Sequence, residues 1–226
     1  MKKLINGIVT FHKTVRSDYR DTFARLALEQ APDALFIACS DSRVVPNLFA
    51  STDPGDLFVV RNVGNLIPPC NDADHSVGDE SEWAAIEFAI HQLNVRDIIV
   101  CGHSDCGAMK ALWNGRSELK PPHLRSWLRY ADASLSALKT TAAQLDKGLE
   151  PYNQMSQVNV LQQLEHLRTY SILQERLREG KMRLHAWWFD IKNADVYAYD
   201  EAQKRYVVID EESVKPILLK LESESA

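Results

Sequence analysis

The sequence lacks the features that would set it apart from an ordinary globular protein. No apolar run reaches about 18 residues, so no segment reads as a membrane-spanning helix. Four cysteines in 226 residues are far too few for a disulfide scaffold, and a reducing compartment would keep them as thiols. There is no Ser/Gly linker, low-complexity tract or internal repeat, so no domain boundary is marked and 1–226 reads as one domain. An excess of positive charge is also missing. Lys plus Arg total 26 against 31 Asp plus Glu, a formal net charge of −5. That argues against a general nucleic-acid binder and leaves room only for a local basic patch. The N-terminus has Lys2 and Lys3 but no long apolar stretch after them, because His12, Lys13 and Arg16 interrupt it. This is not the pattern of a signal peptide, and the expected location is cytoplasmic.

What is present is average: 45% hydrophobic and 25% charged residues, as in soluble domains. A chain of this length can bury roughly 70% of its unfolded surface. Leu4, Ile8, Phe11 and Val15, then Phe23, Leu26 and Ala27, recur at helical spacing and predict a helix over about 3–30, ended by Pro32. Leu35–Cys39, Phe58–Val60 and Asp97–Cys101 read as short buried strands, with a helix over Trp83–Leu93 between the last two. Residues 64–80 read as a long loop. The pattern is helical again over about 122–180, with Gly180 as a stop. Arg183–Phe189, Val196–Tyr199 and Arg205–Ile209 read as strands. Strand, helix, strand in this order predicts an α/β fold with a mostly parallel β-sheet core flanked by helices.

Two segments carry chemistry: Cys39-Ser40-Asp41-Ser42-Arg43 and His103-Ser104-Asp105-Cys106-Gly107. Each begins at or just beyond the C-terminal end of a predicted strand, the edge where open α/β sheets bind ligands. Cys39, His103 and Cys106 form a soft Cys₂His set suited to Zn²⁺. Three protein ligands leave one tetrahedral position open, as a catalytic zinc requires. Two thiolates neutralise the dication formally, so water there is acidified less than by three imidazoles, and activity is expected to rise into mildly alkaline pH. Asp41 and Arg43 lie two apart, on one side of an extended chain. The guanidinium can hold the carboxylate ionised by a bidentate pair. If Arg43 moved away, Asp41 could itself take the open zinc position.

Plainer readings compete. A buried Cys is usually a small apolar core residue, and H-x-x-C recurs by chance. Cys101 is a rival ligand two residues before His103, although its place in the apolar strand favours packing. Cys70 reads as incidental. His91 and His166 read as core or interface residues, Asp105 as an exposed turn in preference to a group that supports the metal ligands from behind, and His75 as a candidate proton shuttle against a plain surface histidine.

At Cys39–Val44 (C-S-D-S-R-V) and His103–Ala108 (H-S-D-C-G-A) the chain resembles the β-class carbonic anhydrases of the plant-like and bacterial branch. The likeness extends through Pro54–Asn65, Asn159-Val160 with Gln163-Leu164, and Leu184–Asp190. It implies reversible hydration of carbon dioxide to bicarbonate and a proton, by zinc-bound hydroxide oriented by the Asp41–Arg43 dyad. It implies one Zn²⁺ per chain on Cys39, His103 and Cys106. It implies a substrate pocket drawing on Gln30, Phe58 and the Gly107 backbone N–H, with Phe88 where relatives carry Tyr. It also implies a homodimer or dimer of dimers, with an N-terminal helical arm (1–30) packing on the partner subunit of a 31–226 core. Trp83 stands where relatives are small and could reshape the pocket. Phe36 replaces the Trp that helps form a regulatory bicarbonate site in one branch. Arg61 alone does not suffice for such a site, so none is expected. Two alternatives stay open: a zinc hydrolase of a CO₂-like molecule such as carbon disulfide or carbonyl sulfide, resting on the region around Trp83, and a catalytically silent relative.

Overall fold

Continuously apolar segments dictate the centre of the fold. In a computed structural model of the chain, which describes residues 1–78, 80–141 and 148–223, Ala34–Cys39 forms β1 and is buried along its whole length. Strand β2 (Leu57–Asn62) lies beside it, half-exposed because it is an edge. Strand β3 (Asp97–His103) lies on the other side of β1 and is buried from Ile98 onward. A strand buried on both faces has no solvent side, so it shows no alternation. Strand β4 (Arg183–Asp190) continues the parallel set; β5 (Asp195–Asp200) and β6 (Arg205–Val208) add antiparallel to it. The order is β2-β1-β3-β4-β5-β6.

That order creates the position of the site. The chain moves outward from β1 to β2, then crosses back over α4 (Ser81–His91) to place β3 on the opposite flank of β1. Strand order therefore reverses between β1 and β3. Such a switch point leaves a crevice beyond the carboxyl ends of the two strands. Cys39 is the last residue of β1 and His103 the last of β3. The third expected ligand, Cys106, is the residue before α5 (Gly107–Trp113). The long helix α8 (Pro151–Leu167) covers β3 and β4. It comes so close that a Cβ on Gly102 would lie 2.7 Å from Val160 Cγ2 and 3.2 Å from the Ser156 carbonyl.

The predicted α/β class and mostly parallel sheet are observed. The predicted helix over 3–30 is α1 (Lys2–Thr10), a π-helical turn at Phe11–Val15, and α2 (Arg16–Leu26). It stops six residues before Pro32. Ala27 and Leu28 close its end on the Phe23 and Arg25 carbonyls, and Leu28, with nothing apolar to face, is exposed. The arm shows Leu4, Ile5, Ile8 and Phe11 to solvent, and Leu26 lies against Gly55. Strand β3 runs two residues past its predicted end, which makes Gly102 and His103 strand residues. Helices α3 (Pro46–Phe49), α5 and α10 (Val214–Ser223) were not foreseen. The first two are too short to show a period. The 122–180 region divides into α6 (Pro122–Trp127), a 3₁₀ turn at Leu128–Ala131, α7 (Asp132–Thr141), α8 and α9 (Ser171–Arg178). Residues 142–147 of it lie outside the described part. Gly180, at φ +65°, follows α9 as the expected stop. Among the described residues, no helix is long and apolar enough to cross a membrane.

Candidate metal centre

Cys39, His103 and Cys106 converge: one donor atom from each, all buried, lie within 4.8 Å of one another. His103 Nδ1 lies 2.8 Å from the Ser104 carbonyl. A carbonyl only accepts, so Nδ1 carries the proton and Nε2 presents its lone pair. Nε2 is fully buried and has no hydrogen-bond partner. A buried acceptor left without a donor costs free energy unless something electron-poor fills the place. Two sulfurs and one imidazole nitrogen are the donor set Zn²⁺ takes, and the residues fit that ion.

Of the two sulfurs, Cys39 is set up as the thiolate, and Cys106 holds the proton that the pair shares. The Gly64 N–H points at Cys39 Sγ at 3.3 Å. A hydrogen bond from Cys106 leads the effects that lower the Cys39 thiol pKa, and the Gly64 and Asp41 N–H groups add to it against burial. The Cys106 thiol is pushed up by the same shared proton and by burial, while the Ala108 and Met109 N–H groups of α5 pull the other way. These N–H groups would serve a thiolate once the metal displaces the proton.

Asp41 and Arg43 form the expected pair. Arg43 Nε donates to Asp41 Oδ1 at 2.9 Å, Nη2 to Oδ2 at 2.8 Å, and the Arg43 backbone N–H to Oδ1 at 3.0 Å. These bonds, led by the guanidinium, hold the Asp41 carboxyl well below the usual carboxylate range against some desolvation. Oδ2 lies 4.0 Å from His103 Nε2, so its free lone pair borders the metal seat. Arg43 is braced on its far side by the Asp105 carbonyl at 3.2 Å. Asp105 is left-handed (φ +58°); its N–H is fixed by Asn153 and its carboxylate by Lys110. Of the two readings of Asp105, the geometry favours the supporting one over the plain exposed turn.

A further ring of bonds went unseen in the sequence. Ser156 Oγ donates to the His103 carbonyl at 2.9 Å. Ser104 Oγ donates to Asp190 and accepts the Ile191 N–H. Asn159 and Trp127 donate to the Gly64 and Val63 carbonyls, which fixes the loop whose amide faces Cys39. Periodicity places Asn159 on a helix but not its contact with the Gly64 carbonyl, 95 residues away.

The remaining expected residues divide. Gly107 opens α5, exposed, with nothing within 4 Å of where a Cβ would stand, so packing does not demand glycine there. Phe58 and Phe88 stack on each other at 5.8 Å. Phe58 pairs with Leu35, four residues before the Cys39↔Asn62 level, or about 13 Å along the strand from the ligand end. Gln30 is exposed in the segment between α2 and β1. One chain therefore does not bring these three to its own metal seat. Trp83 is buried in the core, stacked on Tyr170 and donating to the Pro68 carbonyl, so it does not line the crevice. Cys101 is a core residue whose thiol is pushed up by burial. Cys70 bonds Asn71 and Asp74 instead of joining the cluster, and burial followed by Asp74 pushes its thiol up to about 11. Phe36 is fully buried, edge-on to Trp187. His75 is exposed on the 71–78 loop. His91 is exposed, not core; His166 is partly buried, with Nδ1 on the Ile67 carbonyl.

A three-ligand soft-metal seat at a sheet switch point, bordered by a locked carboxylate, defines a metalloenzyme that activates water. The comparisons with known proteins agree and narrow the class. The carbonic anhydrase family profile matches residues 34–196. A carbonic anhydrase of Synechocystis sp. is 40% identical over 201 residues, covering 88% of this chain and 71% of its own. One from Pseudomonas aeruginosa is 38% identical, covering 93% of both. Among solved structures, the β-carbonic anhydrase CcaA superposes with a TM-score of 0.83 at 39% identity, covering 92% of this chain and 99% of its own. One of two tetrameric β-carbonic anhydrases of Sordaria macrospora gives 0.75 at 25% identity, covering 87% and 95%. The chain belongs to the β-class carbonic anhydrases, a family of zinc-dependent lyases, and its activity is the reversible hydration of carbon dioxide.

Proposed function

We propose that Cys39, His103 and Cys106 hold one zinc ion per chain and that Asp41 and Arg43 orient the nucleophile for carbon dioxide. The observation that carries this reading is the buried, unpartnered His103 Nε2 facing two sulfurs. When bound, zinc acts as a Lewis acid and makes hydroxide available near neutral pH. With the ion in place, Asp41 Oδ2 would accept the hydroxyl hydrogen and so aim the hydroxyl oxygen's lone pair at the substrate carbon. Arg43 keeps that carboxylate ionised and in place. The Gly107 N–H, at the start of α5, is free to polarise a substrate oxygen.

Gln30, Phe58 and Phe88 complete the pocket of a partner subunit. Their separation from the metal seat in one chain supports this, as does the exposure of Phe88 (43%) and of the apolar N-terminal arm. The unit is a homodimer, or a dimer of dimers, with the arm packed on the partner. Four free thiols support a reducing, cytoplasmic location.

The alternatives lose their footing. The reading as a hydrolase of a CO₂-like molecule rested on Trp83, which packs in the core. A silent relative would have Asp41 on the metal, whereas Asp41 is engaged by Arg43. The test is zinc content by mass spectrometry together with stopped-flow hydration of carbon dioxide from mildly acidic to mildly alkaline pH. The expected result is one zinc per chain and a rate that rises with pH. A fully zinc-loaded protein with no hydration activity would refute the assignment.

A further inference from the structure

Arg61 stands on the edge strand β2, where a solvated guanidinium would be ordinary. Its side chain is exposed, yet one edge of its fork is turned onto main-chain oxygens of the neighbouring strand end. Nε and Nη2 donate to the Cys39 carbonyl at 3.0 and 2.9 Å, and Nη2 also donates to the Asp41 carbonyl at 2.7 Å. Between those two carbonyls, the Ser40 N–H donates to the Asn62 carbonyl at 2.8 Å. Two adjacent residues of β2 thus hold three successive residues of the segment that carries the first metal ligand and the dyad carboxylate.

We infer that Arg61 is a positioning residue for the hydration reaction: its guanidinium clamps the 39–41 backbone so that Cys39 Sγ and the Asp41 carboxylate keep a fixed mutual placement. The inference rests on the zinc reading above. Among the described residues Arg61 forms no ion pair, and although its side chain is exposed, Nε and Nη2 are committed to these carbonyls. The planar fork matters because one rigid group spans both oxygens; an ammonium on a flexible stem has the charge without that geometry. The segment needs such a clamp. Past Cys39 the chain leaves the ladder of β1, and the Asp41 and Gly64 N–H groups that face Cys39 Sγ keep their aim only if the backbone does. Partners that orient a metal ligand in this way are typically worth about 10- to 100-fold in activity or metal retention.

The test compares wild type with Arg61→Gln and Arg61→Lys, each loaded with zinc. It reads kcat and KM for hydration, the release rate of zinc to a chelator, the thiolate-to-metal absorption band of the cobalt-substituted protein, and Tm. For Arg61→Gln the expected result is a fall in kcat of about 10- to 100-fold, little change in KM, faster zinc release and an altered cobalt band. Arg61→Lys recovers part of each. If Arg61→Lys matches wild type throughout, charge alone suffices and the clamp is refuted. It is also refuted if Arg61→Gln stays within about twofold of wild type in kcat and zinc release. If Arg61→Gln does not fold, Arg61→Lys decides, and its failure to fold would reassign Arg61 to the fold alone. A wild type without zinc or hydration activity would instead remove the reading on which the inference stands.

Discussion

Replacing Asp41 by Asn changes one atom at the point where the mechanism is most specific. Oδ1 already accepts two hydrogen bonds, from Arg43 Nε and the Arg43 backbone N–H. The amide oxygen of Asn will take that position, because only an acceptor satisfies both donors. The amide nitrogen then replaces Oδ2. There it faces Arg43 Nη2 donor to donor, at what is now a 2.8 Å contact, and it faces the metal seat as a donor where an acceptor stood. The hydroxyl loses the partner that aimed it. A hydrogen bond to a charged group is worth roughly 1.5–3 kcal/mol, or about 10- to 150-fold in kcat. Some stability should go too: Asp41 is only 17% exposed although Arg43 is 46%, and a carboxyl lowered on folding contributes stability at neutral pH that the amide cannot. The profile with pH should keep its shape and drop in height, because the wild-type carboxyl already lies well below the assay range and does not titrate there. Stopped-flow hydration and zinc content on the same preparations measure all of this. An Asn variant with full zinc and a rate within about twofold of wild type would remove the dyad from the mechanism.

Two more outcomes follow from other parts of the fold. At the far end of the sheet from the metal, burial would raise the Asp97 carboxyl, but hydrogen bonds and charge from His185 and Arg183 outweigh it and hold the carboxyl at about 2. A carboxyl lowered on folding adds stability above its unfolded pKa and loses it as pH falls toward the folded one. The contribution is roughly 2 kcal/mol, lost between about pH 4 and 2; chemical denaturation across pH should show Asp97→Asn less stable at neutral pH and flatter on the acid side, and an unchanged acid slope would contradict the assignment. The second concerns the partner: co-expressing Cys39→Ser with Gln30→Ala should restore hydration through mixed dimers that contain one intact site. Mixed dimers no more active than either parent would place Gln30 in its own chain's pocket.

The proposed metal ligands are legible in the sequence because their chemistry is local. Cys39 and His103 end runs of apolar residues, and a parallel strand buried on both faces shows itself as such a run. Residue type and strand end together locate the seat without coordinates. Arg61 shows where that economy stops. An arginine on a half-exposed strand is compatible with solvent, an ion pair or a clamp, and the choice depends on oxygens 20 and 22 residues away along the chain. The same holds for Asp105, whose left-handed backbone turns a carbonyl toward Arg43, and for Trp83, whose size suggested a pocket wall although its indole N–H is committed to Pro68. Phe58 and Gln30 illustrate a different limit. Motif position associates them with the substrate, but strand register sets Phe58 far from its own metal seat and Gln30 faces solvent. The proposed assembly would reconcile motif and register, because a residue remote from the seat of its own subunit can stand beside the seat of the next.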